Sequence, residues 1–144
     1  MSWTEIALRL GVAAVLGAAI GLDRELLHKS AGVRTIGLVT LGSALSIVMF
    51  LSIGGDMATA SRVAQGILAG LGFLGGGVIL HQKERIEGLT TAASIWAAAA
   101  LGAACGLGAW MPATIGGGLT LFLLVFAGWV EHRFKRRAEP SGME

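Results

Sequence analysis

The chain has 144 residues, 54% of them hydrophobic and only 14% charged, with 23 glycines and a mean hydropathy of +0.74. An average soluble domain carries roughly 25% charged residues, so a soluble fold has nowhere to put this much apolar surface. The net charge of +2 and pI of 9.2 do not indicate nucleic acid either, because the basic residues stand beside apolar segments, where positive-inside sorting accounts for them.

Five apolar stretches, at roughly 6–22, 35–54, 63–81, 89–107 and 112–130, each approach the ~20 residues that cross ~30 Å of hydrocarbon as helix. They are continuously apolar rather than alternating, which predicts an all-α integral membrane bundle of five transmembrane helices and not a β-barrel. In domain terms, residues 1–131 form the membrane unit and 132–144 a basic, flexible cytoplasmic tail.

The first stretch follows Glu5 and Arg9 rather than a basic cluster, so it reads as an uncleaved helix and not a signal peptide. Glu5 and Arg9 are spaced to pair on one helix face. Its far end carries Asp23, Arg24 and Glu25, and Arg34 opens the second helix. These four are expected to form a paired charge network around a site, because unpaired charge near hydrocarbon is costly. Thr35, Thr40 and Ser43 follow in the second helix.

Arg62 caps the third stretch, which holds Gln65 and the run "GFLGGGVIL" at 72–80. A glycine in a helix interior costs about 1 kcal/mol relative to alanine, so Gly66, Gly70, Gly72, Gly75, Gly76 and Gly77 ask for a purpose. Small-xxx-small spacings at Gly66/Gly70, Gly72/Gly76, Gly17/Gly21 and Gly102/Gly106 let membrane helices approach closely. They predict that the third segment is the central packing helix, with Gly76 more sensitive to substitution than Gly118 in the peripheral fifth. A second reading has Gly75–Gly77 unwound, with its carbonyls lining a polar pathway.

The fourth stretch brings Thr90, Thr91 and Ser94, then Trp96, placed to pack between helices. Cys105 is the only cysteine, which excludes an intrachain disulfide and a cysteine metal cluster and reads as a small apolar residue. The fifth begins near Pro112. Trp3, Trp110 and Trp129 fall near span ends as interfacial anchors. His28, His81 and His132 have no ligand spacing, so no metal site is expected. No nucleophile–base arrangement or phosphate loop occurs; the chain is expected to be non-enzymatic and without a cofactor.

Arg24, Lys29, Arg34, Lys83, Arg85, Arg133, Lys135, Arg136 and Arg137 fall on one side of such a bundle, and only Arg9 and Arg62 on the other. This places the N-terminus outside and the C-terminus in the cytoplasm. Segments one and two also resemble segments three and four: Arg9 matches Arg62, Gly17 matches Gly70, and Gly32-x-x-Thr35 matches Gly88-x-x-Thr91. Both charged loops lie on one side, so the repeat would be a parallel two-helix one.

Together, "GAAIGLDREL…AGVRTIGLVTLGSAL", "SRVAQGILAGLGFLGGGVIL" and "EGLTTAASIWAAAALGAACGLG" resemble the membrane domain of the MgtC/SapB family of bacterial inner-membrane proteins, over roughly residues 9–108. The resemblance implies a five-helix membrane protein linked to magnesium limitation, to survival in macrophages in pathogens, and to restraint of the F-type ATP synthase. Many members read G-L-E-R-E where this chain has Asp23, and G-L-N-T-A-A-T-L-W-C where it has Thr90, Ser94 and Ala97. Virulence members also carry a soluble C-terminal domain, whereas this sequence ends about fourteen residues past its last apolar stretch.

The expected function is therefore a non-enzymatic inner-membrane protein of magnesium or envelope-stress adaptation. It would act through membrane-embedded helix contacts in a homodimer, or with a membrane-protein partner such as the ATP synthase. The alternative is a small transporter or channel for magnesium or another ion, with Arg9, Arg62, Gln65, Thr90 and Asp23 bordering its route. A divalent-cation route calls for a carboxylate deep in a span to offset dehydration; the carboxylates here lie at helix ends or in loops, which favours the first reading.

Overall fold

The structure is a computed structural model and describes residues 1–82 and 85–138. Five helices follow in order: α1 (Trp3–Leu26), α2 (Val33–Ser52), α3 (Met57–Val78), α4 (Leu89–Leu107) and α5 (Trp110–Ala138). The segment before α4 adds a detail that composition did not reveal, a short antiparallel ribbon of β1 (Leu80–Gln82) and β2 (Arg85–Glu87), with Leu80 opposite Glu87.

The helix ends follow from local chemistry. Ser2 caps α1 by accepting from the Glu5 N–H at 3.2 Å, and Asp56 caps α3 by accepting from the Thr59 N–H at 2.8 Å, the side-chain caps that satisfy orphan N–H groups. Helix α4 stops at Gly108, whose φ of +72° admits the paired bonds from the Gly108 N–H to Cys105 and from the Ala109 N–H to Ala104, a Schellman closure that needs glycine.

Close contacts fix the directions. A Cβ on Gly21 would meet Val33 and one on Gly17 would meet Thr40 and Gly37, so α1 and α2 are antiparallel. Gly102 abuts Thr40 and Ser43 while Gly106 abuts Ala44 and Ile47, so α2 and α4 run parallel. Gly117 lies on Leu16 and Gly128 on Leu27, so α5 runs with α1. The chain thus passes up and down the bundle, gathering the 27–32 and 79–88 connections and the end of α5 at one end. The element directions are those a parallel two-helix repeat requires. The packing is not repeated, as described below.

Helix α4 touches each of the other four helices and carries ten of the buried residues, whereas α3 buries only Ala60. The central packing helix is therefore α4, and the expectation that α3 holds that place is corrected. The physical reason is plain in the glycines: Gly102 and Gly106 let the α2 backbone approach, while Gly66, Gly70, Gly72, Gly76 and Gly77 face open space and Gly75 meets only the Ala92 methyl. Nor is the Gly75–Gly77 run unwound; α3 continues through it to Val78.

Two apolar clusters stack along the bundle. One joins Ile20, Ile36, Ile95 and Leu101 toward the end that holds the 27–32 connection, and the other joins Ala13, Ala44, Cys105 and Ala113 toward the opposite end. Cys105 is fully buried there, as a small apolar residue. The outer surface is apolar as well: Leu38, Met49, Phe73, Phe122 and Val125 are exposed, far beyond what a water-soluble surface carries. Trp96 belongs to that surface, 52% exposed, so its expected place between helices is corrected. Three helices, α1, α2 and α4, are long and apolar enough to cross a membrane; in α5 the apolar part is the shorter Trp110–Phe126.

Candidate functional site

Polar chemistry concentrates on one face of α1. Arg9, Ala13, Gly17, Ile20 and Arg24 recur every three or four residues and share a side of the helix; the middle three and Arg24 are buried. The two arginines reach opposite ends of α4. Arg9 donates from Nη1 to the Gly106 carbonyl at 2.6 Å and pairs through Nη2 with the Glu5 carboxylate. The guanidinium rests on Gly108, where a Cβ would stand 2.8 Å from Nη2, so that glycine serves both the left-handed turn and the arginine.

At the other end Arg24 is 3% exposed and donates from Nη2 to the Thr91 hydroxyl at 3.3 Å. Its Nε is buried without a partner, and so is Oδ2 of the neighbouring Asp23. Glu25 turns elsewhere: its Oε2 accepts from the Val33 N–H at 3.0 Å and so caps α2, whose N-cap Gly32 has no side chain to do it. A Cβ on Gly32 would stand 2.7 Å from that oxygen. Arg34 is exposed.

The expected network of Asp23, Arg24, Glu25 and Arg34 is thus corrected. Among the described residues the one ion pair is Arg9–Glu5, and the cluster divides into a helix cap, a buried arginine on α4 and an exposed arginine. Successive residues of one helix point in different directions, so Asp23 acts on Arg24 through space without an ion-pair contact, and Glu25 turns to α2. The polar residues expected inside the membrane divide similarly. Thr91 is buried and engaged by Arg24; Thr35, Thr90, Arg62 and Gln65 are exposed, so the structure does not gather Arg9, Arg62, Gln65, Thr90 and Asp23 around one route. Thr40 is buried with its hydroxyl donating to the Ile36 carbonyl at 2.9 Å, and Ser94 donates to Thr90 at 2.7 Å. No group of three potential metal ligands occurs among the described residues. His28 stands exposed in the turn after α1 with φ +54°; the side chains of His81 and His132 lie outside the described residues.

The side of α3 left open forms one wall of a groove of about 520 Å³ against α2, lined by Leu38, Gly42, Ser46, Gly66, Gly70 and Leu74 among others. Sequence spacing identified these α3 glycines as contact-forming but gave no sign that their contact is missing within the chain.

Comparison with known proteins gives one consistent result. The MgtC family model matches residues 10–133. Protein SrpB of Synechococcus elongatus is 43% identical, covering 85% of this chain and 74% of its own length. The protein slr0014 of Synechocystis is 40% identical over 84% of this chain, and Protein MgtC of Salmonella typhimurium is 42% identical over 70%. This chain spans only about half of slr0014 and two fifths of the Salmonella protein, at 51% and 43% of their lengths. No solved structure matches.

Proposed function

The chain belongs to the MgtC family, and we propose that it is a non-enzymatic inner-membrane protein of magnesium or envelope-stress adaptation that acts through helix contacts made by α3. The basic end of the bundle faces the cytoplasm in this reading, because Lys and Arg are retained on that side. The observation that carries the proposal is the unequal use of one sequence device. Gly17/Gly21 and Gly102/Gly106 are each filled by a helix of the same chain, while Gly66/Gly70, with the same spacing, borders a vacant groove.

In lipid no hydrophobic effect pulls helices together, and close backbone approach at small residues supplies much of the association energy. A glycine pair left open therefore costs helix stability without return unless another helix fills it. A second copy is the simplest occupant, since a two-fold axis beside α3 would set Gly66 and Gly70 against their own equivalents. Such a dimer, or the same face against another membrane protein, is the working form proposed here.

The test is paired. In a Cys105→Ala background, Gly70→Cys should form an oxidised dimer in native membranes, whereas Leu119→Cys on α5 should not. Gly70→Leu, inserted at normal abundance, should fail to restore growth in low magnesium to a strain lacking the gene. Growth equal to wild type by Gly70→Leu would overturn the proposal.

A further inference from the structure

Helix α4 has an arginine at each end, and the two stand in opposite relation to its dipole. Arg9 lies at the C-terminal end, on the Gly106 carbonyl and beside Glu5, where a cation meets the negative pole. Arg24 lies at the N-terminal end, against Thr91 in the first turn. There a positive charge meets the positive pole of α4, while the last turn of α1 and the Asp23 charge favour it; the residue is 3% exposed, with Nε unpartnered and no carboxylate in ion-pair distance among the described residues. A buried guanidinium whose Nε–H has no acceptor carries a desolvation cost.

The neighbouring helix displays what is missing. Both α2 and α4 begin after a glycine that offers no capping side chain, Gly32 and Gly88. At α2 the Glu25 carboxylate supplies the acceptor. At α4 the N–H groups of Leu89, Thr90 and Thr91 precede the first intrahelical bond, from Ala92 to Gly88, and Gly88 has no side chain to cap them. Gly88 cannot be replaced by a capping residue, because its φ is +92° and a Cβ would overlap the Val78 carbonyl. In the two-helix repeat the position equivalent to Glu25 is Val78, by the offset that pairs Arg9 with Arg62 and Gly17 with Gly70. The second repeat has lost the carboxylate and gained a buried arginine from the first.

We propose that the first turn of α4, the Thr91 hydroxyl and the Arg24 guanidinium form a seat for a phosphate group. The forked guanidinium and free backbone N–H groups are the donors that phosphate oxygens accept best. Arg24 is two residues from the end of α1 and Thr91 two from the start of α4, a depth at which a lipid headgroup phosphate and a free phosphate from water can both reach it. This site is independent of the α3 contact, and its failure would leave that reading untouched.

Asp23 gives the test its sign. Its Oδ2 is buried with no donor and its charge acts on Arg24, so for an anion it is a repelling neighbour, whereas for a cation it would be the ligand. The full-length protein in delipidated dodecyl maltoside is titrated with sodium phosphate against sodium chloride at equal ionic strength, and separately with dihexanoyl phosphatidylglycerol, following thermal unfolding. Either probe should protect the wild type and Arg62→Gln alike. The half-saturating concentration should rise about tenfold or more in Arg24→Gln and in Thr91→Val, and fall in Asp23→Asn. Protection by phosphate assigns a free anion and protection by the lipid alone assigns a headgroup; both sustain the seat. It is overturned if neither probe exceeds chloride, or if Asp23→Asn weakens protection. Should Arg24→Gln not fold, Thr91→Val and Asp23→Asn still decide, and unchanged affinity in both would equally overturn it.

Discussion

Replacing Gly102 and Gly70 in turn by alanine should move stability in opposite directions, although the two glycines sit in closely similar sequence. At Gly102 a methyl group would overlap the Thr40 carbonyl oxygen and stand 2.9 Å from Ser43 Cβ, against the ~3.5 Å or more of ordinary carbon contact. The obstacle is backbone of a helix that is itself gripped by α1, so α2 and α4 must separate. Overpacking of this kind costs ~1–3 kcal/mol, and the backbone clash argues for the upper end. The gain in helix propensity offsets about 1 kcal/mol, leaving a net loss of about 2 kcal/mol. At Gly70 nothing lies within 4 Å, so only the propensity gain of up to about 1 kcal/mol operates in the isolated chain. Equilibrium unfolding in detergent at a dilution chosen to keep the protein monomeric should separate the variants by about 3 kcal/mol. Two shifts of the same sign would refute the assignment of α4 rather than α3 as the packing centre. By the same reasoning Gly76→Leu and Gly118→Leu, both in open space, should unfold alike as monomers, contrary to the ranking drawn from spacing alone.

A reporter fused after Glu144 should be cytoplasmic and one inserted in the 108–111 turn periplasmic; finding both on one side would break the up-and-down passage. Glu25→Ala removes the acceptor for the Val33 N–H and should lower the melting temperature by an amount equivalent to about 0.5–1 kcal/mol, with Glu25→Gln losing less because the amide oxygen still accepts. Asp56 has its carboxyl held below the ordinary range by the Thr59 N–H and hydroxyl. Its cap should therefore be fully formed above the usual carboxylate pKa and be lost only as pH falls through the lower folded value. The Thr59 amide chemical shift, followed by pH titration, should move below the usual range in wild type and stay fixed in Asp56→Asn.

Much of the bundle was legible because membrane helices announce themselves by length and continuous apolarity. The bounds of α4, 89–107, emerge unchanged because Gly88 and Gly108 punctuate it on both sides with positive φ. The Glu5–Arg9 pair was legible for a similar reason: i, i+4 spacing is a local geometric fact. What spacing could not distinguish is which glycine pair meets a helix of its own chain, since the pattern describes a surface and not its neighbour. Trp96 failed for the converse reason; depth along a span says nothing of which side of the helix faces lipid. The Arg24–Thr91 contact joins residues 67 apart in sequence, beyond any periodicity.

The two arginines also set how α1 lies on α4. Arg9 and Arg24 are fifteen residues apart in α1, and their partners Gly106 and Thr91 are fifteen apart in α4, so equal rises of about 22 Å are matched end to end. Sliding α1 along α4 by a single residue would move both guanidinium groups by ~1.5 Å and break the 2.6 Å bond to Gly106 together with the contact to Thr91. The apolar surface between them is no such ruler, because alanine and glycine rows can shift with little change in contact. Polar contacts at the two ends thus impose a register that the Ala- and Gly-rich middle cannot. It follows that the position of Arg24 at the head of α4 is fixed from the far end as well: with Arg9 and Glu5 holding one pole of α4, the buried guanidinium is kept at the other.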